Sequence, residues 1–242
     1  MLIALLYHRV GTGKYANPLE MLDKHFEWIA SCFSTVLPGE KLSGGPKVCL
    51  TFDDATCDFY HLIFPLLEKY RLKALLAVPT AFIPKKVALT PEERLKKVKE
   101  LPSKIPPIPN PAFCSWEELR ILAGSPLIQI ASHSLHHRPL TSQHVNPAHE
   151  LTLSKEILEE ELNGPINTFV YPYGQWNRKV HTLAKQSYQY IFRIGNAHNI
   201  SWNQNLLYRV SGDALISPTS PFDLRQRIQP TIRYFLNTLL KK

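Results

Sequence analysis

Val48-Cys49-Leu50-Thr51-Phe52-Asp53-Asp54 is a short apolar run that stops abruptly at two adjacent carboxylates. A stretch of this length and composition reads as a buried strand. Similar runs recur at Leu2 to Tyr7, Ala74 to Val78, Ile128 to Ser132, Thr168 to Tyr171, Tyr190 to Ile194 and Leu207 to Val210. Amphipathic stretches separate them, at Pro18 to Cys32, Asp58 to Tyr70, Ser115 to Ala123, Pro147 to Leu162, Asn177 to Ser187 and Pro221 to Leu240. Strands alternating with helices imply a parallel α/β sheet with right-handed crossovers, and seven strands is a barrel-like number.

Local signals support these boundaries. Ser115 precedes Trp116-Glu117-Glu118, an S-x-x-E capping box, and Asn17-Pro18 puts a proline at a first helical position. One segment, 84–112, breaks the rhythm with many prolines and lysines. It reads as an excursion over or beside the barrel mouth with one short helix from Pro91 to Leu101. The expected organisation is therefore one domain spanning 1–242. The C-terminal Phe222, Leu224, Ile228, Ile232, Phe235, Leu236 and Leu239 recur at helical spacing and are expected to pack on the barrel, with a kink at Pro230.

Composition narrows the function classes. The chain has 242 residues, 44% of them hydrophobic, enough for a substantial core. Its 28 basic and 20 acidic residues leave a net charge of +8, with lysines clustered at 85–104 and at the C-terminus. No basic stripe interleaves with aromatics, so nucleic acid is not an expected partner, whereas peripheral contact with a membrane or an anionic glycan stays open. Cys32, Cys49, Cys57 and Cys114 show no C-x-x-C spacing and read as core residues in a reducing compartment. The apolar Met1 to Leu6 is too short to span a membrane and runs straight into Tyr7-His8-Arg9. The expectation is a cytoplasmic chain, with cell-envelope association an open alternative.

The chemistry concentrates at the strand ends, which in α/β barrels face the catalytic side. Adjacent carboxylates repel one another, so Asp53-Asp54 calls for a cation or a functional reason, helix N-capping being the plainer alternative. Ile130-Ala131-Ser132 leads into His133-Ser134-Leu135-His136-His137. His133 and His137, four apart on a helical turn, share a face and suit one metal ion. With Asp54 they make a two-histidine, one-carboxylate set that leaves positions open for water and substrate. His136 is then expected to point away. A third element, Tyr171-Pro172-Tyr173-Gly174, is a proline-led turn able to aim a backbone N–H into a site.

Taken in order, Leu6-Tyr7-His8-Arg9-Val10, Leu50-Thr51-Phe52-Asp53-Asp54, Ser115-Trp116-Glu117-Glu118-Leu119, Ser132-His133-Ser134 through His137 and Leu140, and Tyr171-Pro172-Tyr173-Gly174 resemble the NodB-homology polysaccharide deacetylases, carbohydrate esterase family 4. The resemblance covers about the first 175 residues. It implies a distorted (β/α)7-type barrel that hydrolyses the N-acetyl group of N-acetylhexosamine units in a glycan. It also implies one divalent metal, zinc foremost with cobalt or nickel as alternatives, held by Asp54, His133 and His137. Asp53 matches the base and Tyr173 the oxyanion donor, while Ser134 would order the loop between the ligands.

The sequence departs from that pattern in its later part. No Leu-x-His motif follows His198, a late Asp-Trp pair is missing, and Tyr171 stands where many members carry arginine. His8 is the first candidate for the general acid, His198 the second, and protonated Asp53 a third; Arg209, Asp213 or Glu150 would partner Asp53. Ala55 replaces a glycine, which predicts ordinary backbone angles there. The aromatics that could stack on a sugar are Tyr7, Trp116, Tyr173 and Trp176, of which Trp176 is favoured and Trp116 reads as a core residue. An inactive metal-containing glycan-binding module and a hydrolase of a non-glycan amide are the competing readings.

Overall fold

Side-chain alternation along the strands decides what the barrel contains. In a computed structural model that describes residues 1–102 and 105–222, the strands are β1 (Leu2–Tyr7), β2 (Lys47–Phe52), β3 (Ala74–Val78), β4 (Ile128–Ser132), β5 (Thr168–Val170), β6 (Tyr190–Ile194) and β7 (Leu207–Ser211). All pair in parallel in the order β1-β7-β6-β5-β4-β3-β2, and β2 pairs back onto β1 to close the cylinder. This is the seven-stranded α/β barrel that the strand spacing predicts. The two-residue strand Ser34–Thr35 pairs with the first residues of β2.

Two apolar clusters follow from the period of two. Leu2, Ala4, Cys49, Leu75, Ala77, Ala131, Val170, Phe192 and Leu207 pack together inside, with Trp202 beside them. Ile3, Leu5, Val48, Leu50, Leu76, Ile130, Phe169 and Ile191 belong to the larger cluster under the helices. Each fully buried Leu, Ile or Phe there contributes roughly 1.5–3 kcal/mol. The interior instead uses many small residues, and the room they leave holds the fully buried side chain of Arg209.

The helices are α1 (Leu19–Cys32), α2 (Phe64–Tyr70), α3 (Pro91–Lys99), α4 (Trp116–Gly124), α5 (Pro147–Leu162) and α6 (Arg178–Ser187). In α1 the buried residues Leu22, His25, Phe26 and Ile29 fall at i, i+3, i+4 and i+7, the stripe of a helix lying on a sheet. Pro18 is the N-cap of α1, one position earlier than predicted, while Asn17 bonds to Gly212 and Leu215. The turn before α2, Phe59–Ile63, is π-helical.

The excursion is tied to the barrel wall by Arg94 of α3, which is 5% exposed. Its guanidinium forms a fork with Glu118 at 2.6 and 2.8 Å and donates to the carbonyls of Pro111 and Phe113. Glu118 also closes the predicted capping box with Ser115, so one carboxylate both starts α4 and holds α3. Arg9 reaches Val98 of α3, which brings the excursion beside the loop that follows β1.

Three expectations are corrected. Cys32 is exposed, although Cys49, Cys57 and Cys114 are core residues as read. Tyr7 is only 1% exposed and packs against Phe26 and Phe52, so it cannot stack on a ligand. The short helix of the excursion stops at Lys99 rather than Leu101. The C-terminal helix expected over Pro221 to Leu240 lies outside the described residues beyond Phe222. Among the described residues, no helix is long and apolar enough to cross a membrane.

Candidate active site

The strand ends turn sharply at the C-terminal mouth of the barrel. Asp54 (φ 72°), Ala55 (φ 52°), Ser134 (φ 65°), His137 (φ 48°) and Tyr173 (φ 57°) all sit in the left-handed region, at roughly 1–2 kcal/mol each for non-glycine residues. The expectation of ordinary angles at Ala55 is therefore wrong. Tertiary pairing overrides it: Cys114 donates to the Ala55 carbonyl and Cys57 to the Ala112 carbonyl, both at 2.8 Å, which pins the turn to the end of the excursion. Strain concentrated at one mouth and overdetermined by neighbours is the pattern of a functional site.

Asp53 continues the inward face of β2 and is 4% exposed. Arg209, from the inward face of β7, grips it bidentately at 2.6 and 2.9 Å and also reaches Thr51 at 3.2 Å. Burial by itself would raise the Asp53 pKa, but the Arg209 guanidinium, with His133 and His8 nearby, holds the carboxyl well below the usual carboxylate range. Asp53 is thus ionised and oriented.

Asp54, His133 and His137 converge, and a ligand atom from each lies within 4.8 Å of the others. His137 Nε2 is 3.4 Å and His133 Nε2 3.8 Å from Asp54 Oδ1. His133 donates Nδ1–H to the Val170 carbonyl at 2.8 Å, which leaves the Nε2 lone pair facing the acid pair, 3.7 Å from Asp53 Oδ2 and 3.8 Å from Asp54 Oδ1. Burial, more than the charge of Asp53 can restore, pushes the His133 pKa down to about 4. A neutral imidazole with its outer nitrogen tied to a carbonyl is the form a metal ligand takes. The donor set of one carboxylate and two imidazoles is one that a divalent first-row metal ion accepts.

His8 lies across the mouth with Nδ1 2.6 Å from Asp213 Oδ2, while its backbone N–H donates to the other carboxylate oxygen at 3.0 Å. Burial works to lower its pKa, yet Asp213, with Asp54 and Asp53 beyond it, pushes it up to about 9. Of the three groups offered as partners for Asp53, only Arg209 takes that place. Asp213 serves His8, and Glu150 serves the backbone and ring of the histidine loop. His198 is remote from the acid pair: it lines a small cavity with Met1, Ile3 and Phe33 at the opposite end of the barrel.

Other expectations sort by burial. His136 turns away to Glu150, as its spacing predicts. Ser134 Oγ is buried and finds no hydrogen-bond partner among the described residues, so its hydroxyl does not order the loop. Trp116 is core, and Tyr171 is buried with its hydroxyl 3.2 Å from His181. Trp176, favoured for stacking, packs against His181 with the Arg193 guanidinium over its ring. Tyr173 is 56% exposed, with its ring centroid 4.8 Å from that of His137. The Val170 carbonyl has no sequence signature. Arg209 has one: a lone arginine at inward parity in an apolar strand.

Together these features define a seven-stranded parallel α/β barrel whose inward-facing polar residues gather at its C-terminal mouth. A family model described as polysaccharide deacetylase matches residues 41–191, and the chain belongs to that family. Among curated proteins, the polysaccharide deacetylase homologue YxkH of Bacillus subtilis strain 168 is 25% identical over 196 residues, 76% of this chain and 60% of YxkH. The chain thus spans less than two thirds of that relative's length. Among solved structures, the Streptococcus pyogenes deacetylase PplD has 19% identity and a TM-score of 0.69, covering 95% of this chain and 97% of that one. The de-N-acetylase from Aggregatibacter actinomycetemcomitans has 20% identity and a TM-score of 0.72, covering 93% and 98%. Both share the barrel fold.

Proposed function

We propose that this chain is a metal-dependent hydrolase that removes the N-acetyl group from N-acetylhexosamine units of a glycan. The observation that carries the reading is the convergence, in one mouth, of an ionised carboxylate, a three-donor cluster and a protonated imidazole. Asp54, His133 and His137 would hold the metal, which when bound supplies Lewis-acid polarisation of water and of the acetyl carbonyl.

The protein's own groups do the rest. Arg209 fixes the Asp53 carboxylate so that one geometry is presented to the attacking water, and Asp53 receives its proton. A carboxylate held so far below neutrality is a weak proton acceptor, so Asp53 depends on that polarisation to make water acidic enough. The Tyr173 N–H would donate to the oxyanion of the tetrahedral intermediate, a contact worth roughly 2.7–4 kcal/mol. The amide C–N bond then breaks, and His8, kept protonated by Asp213, hands its proton to the departing amine. Acetate and the free amino sugar result.

The test is acetate release from N-acetylglucosamine oligomers by chelated protein re-supplied with zinc, cobalt or nickel, run beside small acetylated amides. Turnover of the oligomers is expected only with metal, and Asp53→Asn should lower it by roughly 10²–10⁴-fold. Full activity of Asp53→Asn overturns the assignment. Glycan binding without turnover would mark a binding module, and turnover of the small amides alone a different substrate.

A further inference from the structure

We infer that Glu150 is the positioning residue that sets the geometry of the metal site, by holding the backbone between its two histidines. This rests on the reading of Asp54, His133 and His137 as metal ligands. The loop from His133 to His137 has residues in the left-handed region at both Ser134 and His137, so it cannot be held by continuation of a strand or helix. Its backbone needs partners from elsewhere, and most can be traced. His133 N–H goes to the Val78 carbonyl and Ser134 N–H to Ser132 Oγ, while the Ser134 and Leu135 carbonyls accept from Thr80 and Ala81. The two successive amides in the middle, Leu135 and His136, both donate to a single oxygen, Glu150 Oε2, at 3.0 and 2.9 Å. Glu150 Oε1 takes the ring Nδ1 of His136 at 2.7 Å.

Glu150 itself is 4% exposed, in the first turn of α5. A buried carboxylate satisfied by three donors from one five-residue loop is a clamp, and both ends of that loop are the proposed ligands. The contact with His136 has a second effect. It turns away the third imidazole of this loop, so Glu150 selects which pair of the loop's histidines faces Asp54. The part that Ser134 was expected to play falls to a residue on a neighbouring helix. Partners that orient ligands from behind typically change metal affinity by roughly 10–100-fold when removed.

The experiment is zinc affinity by competition with a chromophoric chelator, on the full chain and on Glu150→Ala, Glu150→Gln and the exposed control Glu156→Ala. Melting of the metal-free proteins is followed in parallel. Glu150→Ala is expected to weaken zinc binding by roughly 10–100-fold, with Glu150→Gln recovering most of it, since an amide oxygen still accepts from both backbone N–H groups. Glu156→Ala should match the native chain. If Glu150→Ala does not fold, Glu150→Asp replaces it. Being one methylene shorter, it should lose the two-amide contact and weaken zinc at least several-fold. Zinc binding within twofold of native by a folded Glu150→Ala or Glu150→Asp protein overturns the inference and leaves the metal reading intact. Failure of the native chain to bind zinc overturns the metal reading instead.

Discussion

Two histidines at the mouth of the barrel are held in opposite protonation states. His133 gives its Nδ1–H to a backbone carbonyl and its pKa is pushed down to about 4; His8 sets its Nδ1 against a carboxylate and is pushed up to about 9. Burial lowers both pKa values and the acid pair raises both, although His133 is the more deeply buried, 1% exposed against 19% for His8. What sets them apart beyond that is the partner behind the ring. A carbonyl fixes a tautomer without adding charge, which suits a ligand; a carboxylate stabilises the imidazolium, which suits a proton donor.

The sharpest way to separate the two roles is His8→Gln. Turnover should fall by roughly 10²–10⁴-fold while zinc affinity stays at the native value. A parallel loss of zinc binding would show that His8 belongs to the ligand side and would dissolve the contrast.

Changing only the partner is the next test. Asp213→Asn keeps the hydrogen bond to His8 but removes the charge, so the His8 pKa should fall from about 9 towards the ordinary 6.5. The alkaline limb of the kcat profile should move down with it, and the His8 imidazole resonances should titrate at the lower pH. An unmoved limb would assign that titration to another group.

The smallest effect is on stability, and the two histidines should act on opposite sides of neutrality. In the metal-free chain, stability present above pH 6.5 is lost as pH falls towards 4, because unfolded His133 takes up a proton that the buried ring refuses. His25 and His198, also pushed down to about 4 by burial, add to this limb. Stability from His8 is complete below pH 6.5 and is lost as pH rises through about 9, because the unfolded chain sheds a proton that the folded one keeps. Each histidine contributes roughly 3 kcal/mol at most. Urea titrations across pH should show the alkaline limb flattened in Asp213→Asn and the acid limb unchanged.

Much of this was legible from residues close together in sequence. The strands announce themselves by length and apolarity, and Asp53-Asp54 and the His133 to His137 spacing are local patterns at their ends. What was not legible depends on register. Arg209 lies 156 residues from Asp53, and Asp213 lies 205 from His8; only the closure of β7 onto β1 pairs them, so the sequence left Arg209, Asp213 and Glu150 as equal candidates for one role. Ala55 misled for a related reason. Its intrinsic preference is outweighed by the hydrogen bonds that tie Ala55 to Cys114 and its neighbour Cys57 to Ala112, which nothing near it in the chain reveals.

Closure of the cylinder also bears on how the chain acquires competence during synthesis. β1 pairs with both β2 and β7, the second and last strands of the cylinder. Without β7 the sheet would stay open between β1 and β6, and Asp53 would lack the counter-ion that Arg209 supplies. Completing so long-range a pairing is slow relative to forming local helices, and an unpaired carboxylate at that position opposes premature collapse. β7 therefore both closes the sheet and brings the counter-ion of Asp53, so a chain without that strand would lack the two together.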